Sequence, residues 1–461
     1  MKNFKIKRRC RSVLCVGLCC AVLLAGCKSE DGEEFVYTNG SVSRVAEARL
    51  PVMAAYPGDE GMSDENGELT DNGKNWLEQE KERREAAHDL KKYRDSFMGF
   101  YRETINAFLN DGEDINAVYS PVNLYFALAM SAEITEGESR EQLLGLLGAK
   151  DIDKLRAQTK KLWTACYRND GAVTSILANS LWLNENIEFK KDTTDRLAED
   201  YFASVFSGDP GSENMTEALR AWLNEQTGGL LKESAKNAEL DPMTAAALCS
   251  TVYFRAKWHQ IFFMENNDSK IFHGLGGDVE REFMNTTFEY GPYYYGEDFG
   301  AISMRFAEGG GMWLILPDEE KSLGDVLEAG EYLDMMMDPD HWEKSARVKV
   351  NCSVPKFDVS SEIGLADGLK RLGVTDVFDM GKADFSPLTE DTGVYFSDAR
   401  HAARVVIDEE GCTAAAFTEM VAAGAAIPPE DEVDFVVDRP FLFVIKGESG
   451  EILFAGTVVE V

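Results

Sequence analysis

Glu409-Glu410-Gly411-Cys412-Thr413-Ala414-Ala415-Ala416-Phe417-Thr418, continuing as Glu419-Met420-Val421-Ala422-Ala423-Gly424-Ala425-Ala426, decides how the rest of the chain is read. Seven of these residues are alanine, and Ile427-Pro428-Pro429 breaks the run. Alanine favours helix, and a glycine followed by prolines would stop one. A surface helix, however, needs a polar face behind its apolar stripe. Between Thr413 and Ala426 the only charge is Glu419, so that face is missing. Strand-like blocks flank the stretch: Val405-Val406-Ile407 before it, Phe435-Val436-Val437 and Phe441-Leu442-Phe443-Val444-Ile445 after it. Small side chains suit either an exposed loop or the tight interior of a sheet. Fully extended, residues 411–425 would span on the order of 50 Å at ~3.3 Å per residue, enough to cross a domain as one strand. The stretch therefore reads as a segment able to change state, ahead of a helix.

Glu409-Glu410-Gly411, a small residue, then three alanines resembles the hinge of the reactive loop in serpins. His401 to Gly411 and Asp438-Arg-Pro-Phe-Leu-Phe-Val-Ile resemble its two flanks, and Ile452-Leu-Phe-Ala-Gly-Thr-Val-Val resembles the family's C-terminal strand. Upstream, Asn116-Ala-Val-Tyr-Ser-Pro-Val-Asn-Leu, Glu136-Gly-Glu-Ser, Trp222-Leu-Asn-Glu-Gln-Thr-Gly-Gly, Tyr253-Phe-Arg-Ala-Lys-Trp258, Met312-Trp-Leu-Ile-Leu-Pro, Val354-Pro-Lys-Phe357 and Leu369 to Phe378 resemble family segments in the family's order. Each motif alone is weak, but together they run from about residue 95 to the C-terminus.

The chain is acidic, with a formal charge of −34; removing residues 1–26, which carry six Lys and Arg and no acid, takes it to −40. Such a surface repels nucleic acid and acidic polysaccharide, so no nucleic-acid partner is expected. Of nine cysteines, five lie in the first 27 residues; Cys166, Cys249, Cys352 and Cys412 are isolated, with no zinc-like spacing. No G-x-S-x-G, Walker loop or H-E-x-x-H occurs, so neither a catalytic centre, a metal nor a cofactor is expected. His401, Asp408 and Cys412 can be written as a thiol-hydrolase triad, but the resemblance places His401 among the structural residues of the serpin core.

Lys2 to Arg11 is basic, and Val13 to Leu24 is an apolar run of about twelve residues, too short to span a membrane comfortably. Leu24-Ala25-Gly26-Cys27 then resembles the lipobox of bacterial lipoproteins, which implies a signal peptide over 1–26 and lipidation at Cys27. Residues 27–87 read as an acidic flexible tether, and 88–461 as one folded domain. Glu30, Asp31, Glu33 and Glu34 resemble an acidic surface-export signal. The expected location is thus an exported, membrane-anchored lipoprotein, with the outer membrane or cell surface as candidate sites.

The resemblance implies an α+β serpin fold: a large, mostly antiparallel central sheet, two smaller sheets, eight or nine helices and an exposed reactive loop. It implies suicide inhibition of a serine protease, with cysteine proteases as a second class of partner. Glu409, Glu410, Gly411, Cys412, Thr413, Ala414, Ala415 and Ala416 would form the hinge. The scissile bond, counted forward from Glu409, falls at Ala425–Ala426, where Ala, Gly and Val suit an elastase-like pocket rather than a trypsin-like one. The other reading is a serpin-fold binding protein that does not inhibit. Two departures stand out. The polar cluster beneath the main sheet matches at Ser120 and His401, but its usual asparagine falls on Ser250. Cys412 replaces the usual Thr or Ser, and Phe417, on the alternate face, interrupts the alanines.

Metabolic labelling with a fatty acid should mark the wild type and not Cys27→Ala; equal labelling of both would remove the lipoprotein reading.

Overall fold

The computed structural model describes residues 41–110, 115–397, 399–412 and 431–461. The apolar run around Val122–Met130 forms the helix Pro121–Glu133, buried around its whole circumference. A helix without a polar face has to lie inside the protein. Pro121 takes the first helical position, where its missing N–H leaves nothing unpaired, and the Ser120 hydroxyl caps the helix by accepting from Asn123 N at 3.2 Å. This helix packs against the strand Ala246–Lys257.

That strand belongs to an eight-stranded sheet. Its order is Ser43–Ala46, Ala203–Gly208, Thr174–Asn184, Ala246–Lys257, Gly411–Cys412, Arg400–Ile407 and Phe357–Gly364, with Arg168–Asn169 paired to Thr174–Asn184. Only Thr174–Asn184 and Ala203–Gly208 run parallel. Along Arg400–Ile407 burial alternates, so His401, Ala403, Val405 and Ile407 face the core, as the two-residue period of a strand requires. The second sheet has nine strands, in the order Glu432–Val436, Ser345–Pro355, Gly277–Tyr295, Phe299–Arg305, Gly311–Pro317, Phe441–Lys446, Ile452–Val458 and Ala117–Tyr119, with Asp268–Gly274 paired to Gly277–Tyr295. The two smaller sheets expected from the sequence form one continuous path here, through the 19-residue strand Gly277–Tyr295, which pairs with Ser345–Pro355, Phe299–Arg305 and Asp268–Gly274. Its central strands Gly311–Pro317 and Ile452–Val458 are buried at every position, which is why their sequences are continuous apolar runs rather than alternating ones. Nine helices of seven residues or more surround the sheets among the described residues.

The expected tether over 27–87 needs correction where the chain is described. Ser43–Ala46 adds an antiparallel edge strand to Ala203–Gly208. Val42 is 2% exposed and packs with Met215, Leu219 and Trp222 of the helix Glu213–Gln226. Asp71–Leu90 is a 20-residue helix capped by Thr70. Glu80 and Arg83 are buried on its inner face and form an ion pair, while Trp76 Nε1 donates to Asp170 Oδ2 at 3.0 Å. The folded part therefore begins by residue 41, not 88. Acidic composition pointed to a flexible tether, but single apolar side chains, caps and strand addition hold this segment to the domain.

Candidate functional site

Of the stretch that opened the sequence reading, residues 409–412 are described, and Gly411–Cys412 joins the sheet. Gly411 and Cys412 pair antiparallel with Lys257 and Ala256, and Cys412 pairs with Ile407 on the other side. Among the described residues nothing else bridges Ala246–Lys257 and Arg400–Ile407. Below those two residues the strands stand apart over a cavity of about 520 Å³, lined by Asn123, Leu124, Ser250, Thr251 and His401 among others. Residues 246–250 are accordingly only half-buried, although they sit in the middle of the sheet. Thr251 Oγ is buried without a hydrogen-bond partner, as expected for a side chain at an incompletely paired edge.

Residues 408–411 are held firmly. Asp408 Oδ1 accepts from the N–H groups of Glu410 (2.9 Å) and Gly411 (3.2 Å). Trp258 N donates to Glu410 O at 3.0 Å, Phe262 N donates to Glu409 O at 3.2 Å, and the Trp258 indole donates to Asp408 O at 2.9 Å. Gly411 is required here, because a Cβ would lie 2.2 Å from Ala256 O. The Glu409 carboxylate meets Lys356 Nζ at 2.6 Å and Asn267 Nδ2 at 2.7 Å. Burial raises its proton affinity, but hydrogen bonds from Lys356 and Asn267 and the Lys356 charge outweigh that and hold the carboxyl below its ordinary range. Lys356 is shared with Glu282 at 2.7 Å. Cys412 is 2% exposed, so a small side chain at this position does enter the core. Thr413 to Ala416, Phe417 and the Ala425–Ala426 bond lie outside the described residues, as does Cys27.

Ser120, Ser250 and His401 converge beneath the sheet. Ser120 N donates to His401 Nε2 at 3.0 Å. Asn123 Nδ2 donates to Ser250 O at 3.0 Å, and the Ser250 hydroxyl donates to Asn179 Oδ1 at 2.8 Å. Asn179 Nδ2 in turn donates to Tyr201 O at 2.8 Å. The shorter side chain at 250 thus has a protein partner. Asn123 and Asn179 complete the cluster, and residue-by-residue reading missed both; Asn123 could have been found, since it sits at the third helical position after the Ser120 cap.

The triad that can be written from His401, Asp408 and Cys412 is not assembled. Cys412 pairs with Ile407, six residues along the strand from His401, which is on the order of 20 Å. Asp408 is committed to backbone N–H groups. Among the described residues no cluster of His, Cys, Asp and Glu could hold a metal ion.

A family profile, Serpin (serine protease inhibitor), matches residues 98–461. The chain is 29% identical over 384 residues to Serpin-Z2B of Oryza sativa subsp. japonica, covering 76% of this chain and 92% of that one. The solved structure of the thermophilic serpin tengpin in the native state superposes with a TM-score of 0.71 at 26% identity, covering 80% of this chain and 94% of that one. Thyroxine-binding globulin in complex with thyroxine superposes with a TM-score of 0.68 at 23% identity, covering 80% and 99%. The chain belongs to the serpin family.

Burial holds the His401 imidazole down at about 4, so the neutral ring accepts from Ser120 N and packs 5.4 Å from the Tyr119 ring. An unfolded histidine titrates near ~6.5. Between pH ~6.5 and ~4 the unfolded chain therefore binds a proton that the folded chain refuses. The stability contributed by neutral His401 is complete above that window and is lost as pH falls through it. In His401→Gln the pH slope of unfolding free energy across the window should be shallower by up to about 1.4 kcal/mol per pH unit. Equal slopes from urea unfolding would show that His401 is not the titrating group.

Proposed function

We propose that the protein is a covalent-trapping inhibitor of serine proteases, with elastase-like enzymes as targets and cysteine proteases as a second class. The observation that carries this reading is the gap between Ala246–Lys257 and Arg400–Ile407, closed among the described residues only by Gly411–Cys412. In the mechanism the family implies, a protease attacks the bait bond as an acyl acceptor, and the cut loop then adds to the sheet and carries the enzyme with it, a form of strand addition known for serpins.

The register supports this for the chain in hand. Continued by one residue at a time, the observed pairing sets Ala414 opposite Phe254 and Val405, and Ala416 opposite Val252 and Ala403. Phe254, Val405 and Ala403 face the core, and Phe254 and Val405 already fill the space beside Ala414, so a small side chain on the entering strand suits that position. Thr418 would meet Ser250 and His401, the two sides of the polar cluster. No proline interrupts 409–427, and proline there would remove ladder donors. The Glu409–Lys356–Asn267 contacts would hold the loop's origin still while the rest moves.

For the bait bond we retain Ala425–Ala426. Val421, Ala422, Ala423, Gly424 and Ile427 surround it, with no Lys, Arg or aromatic side chain for a deep charged or ring-binding pocket. We also propose membrane attachment through lipidated Cys27. A non-inhibitory binding protein remains the contrasting reading, since thyroxine-binding globulin shares the fold while its solved complex holds thyroxine.

Elastase-like and trypsin-like serine proteases, mixed separately with the protein, should give a denaturant-resistant complex with the former, and intact mass of the released peptide should place the cut at Ala425–Ala426. A complex with a trypsin-like enzyme alone would overturn the specificity. Clean hydrolysis by every protease, with no complex, would favour the binding-protein reading.

A further inference from the structure

A second cavity, of about 670 Å³, is lined by Trp258 and Phe262 among others. Volumes of ~300–1,000 Å³ are those that hold small organic ligands. Its walls are aromatic and cationic together. Trp313 and Tyr294 are buried and lie 5.1 Å apart, Trp258 stacks on Phe306 at 5.0 Å, and Tyr290 is 53% exposed at the rim. Three cations line the same space: Arg305, Arg347 and Lys446. Arg347 lies 5.8 Å over the Tyr290 ring, and Lys446 Nζ donates to Met336 O at 2.7 Å. Among the described residues neither Arg305 nor Arg347 takes part in an ion pair, whereas arginines elsewhere in the fold, such as Arg102, Arg156 and Arg404, do. Two carboxylates, Glu289 and Asp340, also reach the cavity, and Glu289 acts on the Lys349 ammonium. In a chain of net charge −34, guanidinium groups that form no ion pair, set beside exposed and buried rings, are an arrangement that receives an organic anion: the rings take the apolar body and the guanidiniums take the acid.

We propose that this cavity binds an aromatic or polycyclic carboxylate or sulfonate, and that its occupancy stiffens the hinge of the loop. The coupling is direct. Trp258 and Phe262 line the cavity, and the same two residues supply three hydrogen bonds to the hinge, at Asp408, Glu409 and Glu410. A ligand that restrains those two side chains restrains the backbone from which the loop departs. The effect needs no cut loop and no protease, so it stands or falls separately from the inhibitory reading.

The test uses the purified chain and 8-anilinonaphthalene-1-sulfonate as the probe, followed by its fluorescence. Wild type should show a saturable site. Arg305→Glu/Arg347→Glu reverses two exposed charges that hold no ion pair, so it should melt as wild type does and bind the probe at least about tenfold more weakly. Lys91→Glu/Lys92→Glu, the same change at two exposed residues elsewhere, should bind as wild type. Hydrogen exchange at the Trp258 and Phe262 amides should slow at least about threefold in saturating probe. Equal affinity in wild type and Arg305→Glu/Arg347→Glu, or equal weakening in both double variants, would overturn the site. Saturable binding at the site with unchanged exchange at those amides would overturn the coupling.

Discussion

Gly411 and Cys412 are, among the described residues, all that joins the strand Ala246–Lys257 to Arg400–Ile407. A sheet whose middle is closed over two residues has backbone donors and acceptors facing a cavity instead of a neighbour, and buried polar groups without partners are costly. The remaining architecture compensates for that opening. Pro121–Glu133 lies beneath it as a helix without a polar face. Ser120, Asn123, Asn179, Ser250 and His401 bind one another across it. Glu409, Lys356 and Asn267 fix the point where the chain leaves the sheet. Among the described residues the structure is thus arranged around an incompletely paired strand position, and the chain that follows Gly411–Cys412 in sequence is rich in small side chains.

The two ends of the opening are physically different. The hinge end is charged and backbone-rich: a Lys–Glu contact, an Asp408 side chain capping two N–H groups, and indole and amide donors from Trp258. Its strength depends on ionic partners at a partly exposed site, where screening keeps each contact modest. The lower end is buried and neutral. His401 is uncharged because burial makes its protonation expensive, and Ser120, Asn123, Asn179, Ser250 and His401 pair with one another or with backbone there. Opening at the hinge end therefore trades contacts with water, whereas opening at the lower end would leave buried polar groups unmatched.

Much of this was legible in the sequence. The apolar runs at 312–316, 441–445 and 452–458 gave central strands because buried strands need apolar residues on both faces. That Gly411–Cys412 is strand and not helix was legible because Glu409-Glu410-Gly411 followed by small residues departs from helix chemistry in a specific way. Ser120 and His401 were found through motif position. Asn179 was not, because a single asparagine in an apolar strand carries no local signal; its role comes from a neighbour 71 residues away. Lys356 carries no signal of its own in the sequence, since its partner Glu409 approaches through tertiary folding. The segment 41–87 was misread as tether because composition averages over it, while its order rests on a few residues such as Val42, Trp76 and Glu80. The cavity behind Trp258 was invisible for the same reason: Arg305, Arg347 and Lys446 come from three separate strands.

The central claim is that the vacant strand position is one the chain's own loop can fill. Melting temperature before and after a single cut within 413–430 tests it most directly. Filling the position adds a ladder of backbone hydrogen bonds, so the account predicts that the cut chain melts at least ~10 °C higher than the intact one. A cut chain that melts at the same temperature, or lower, would contradict it.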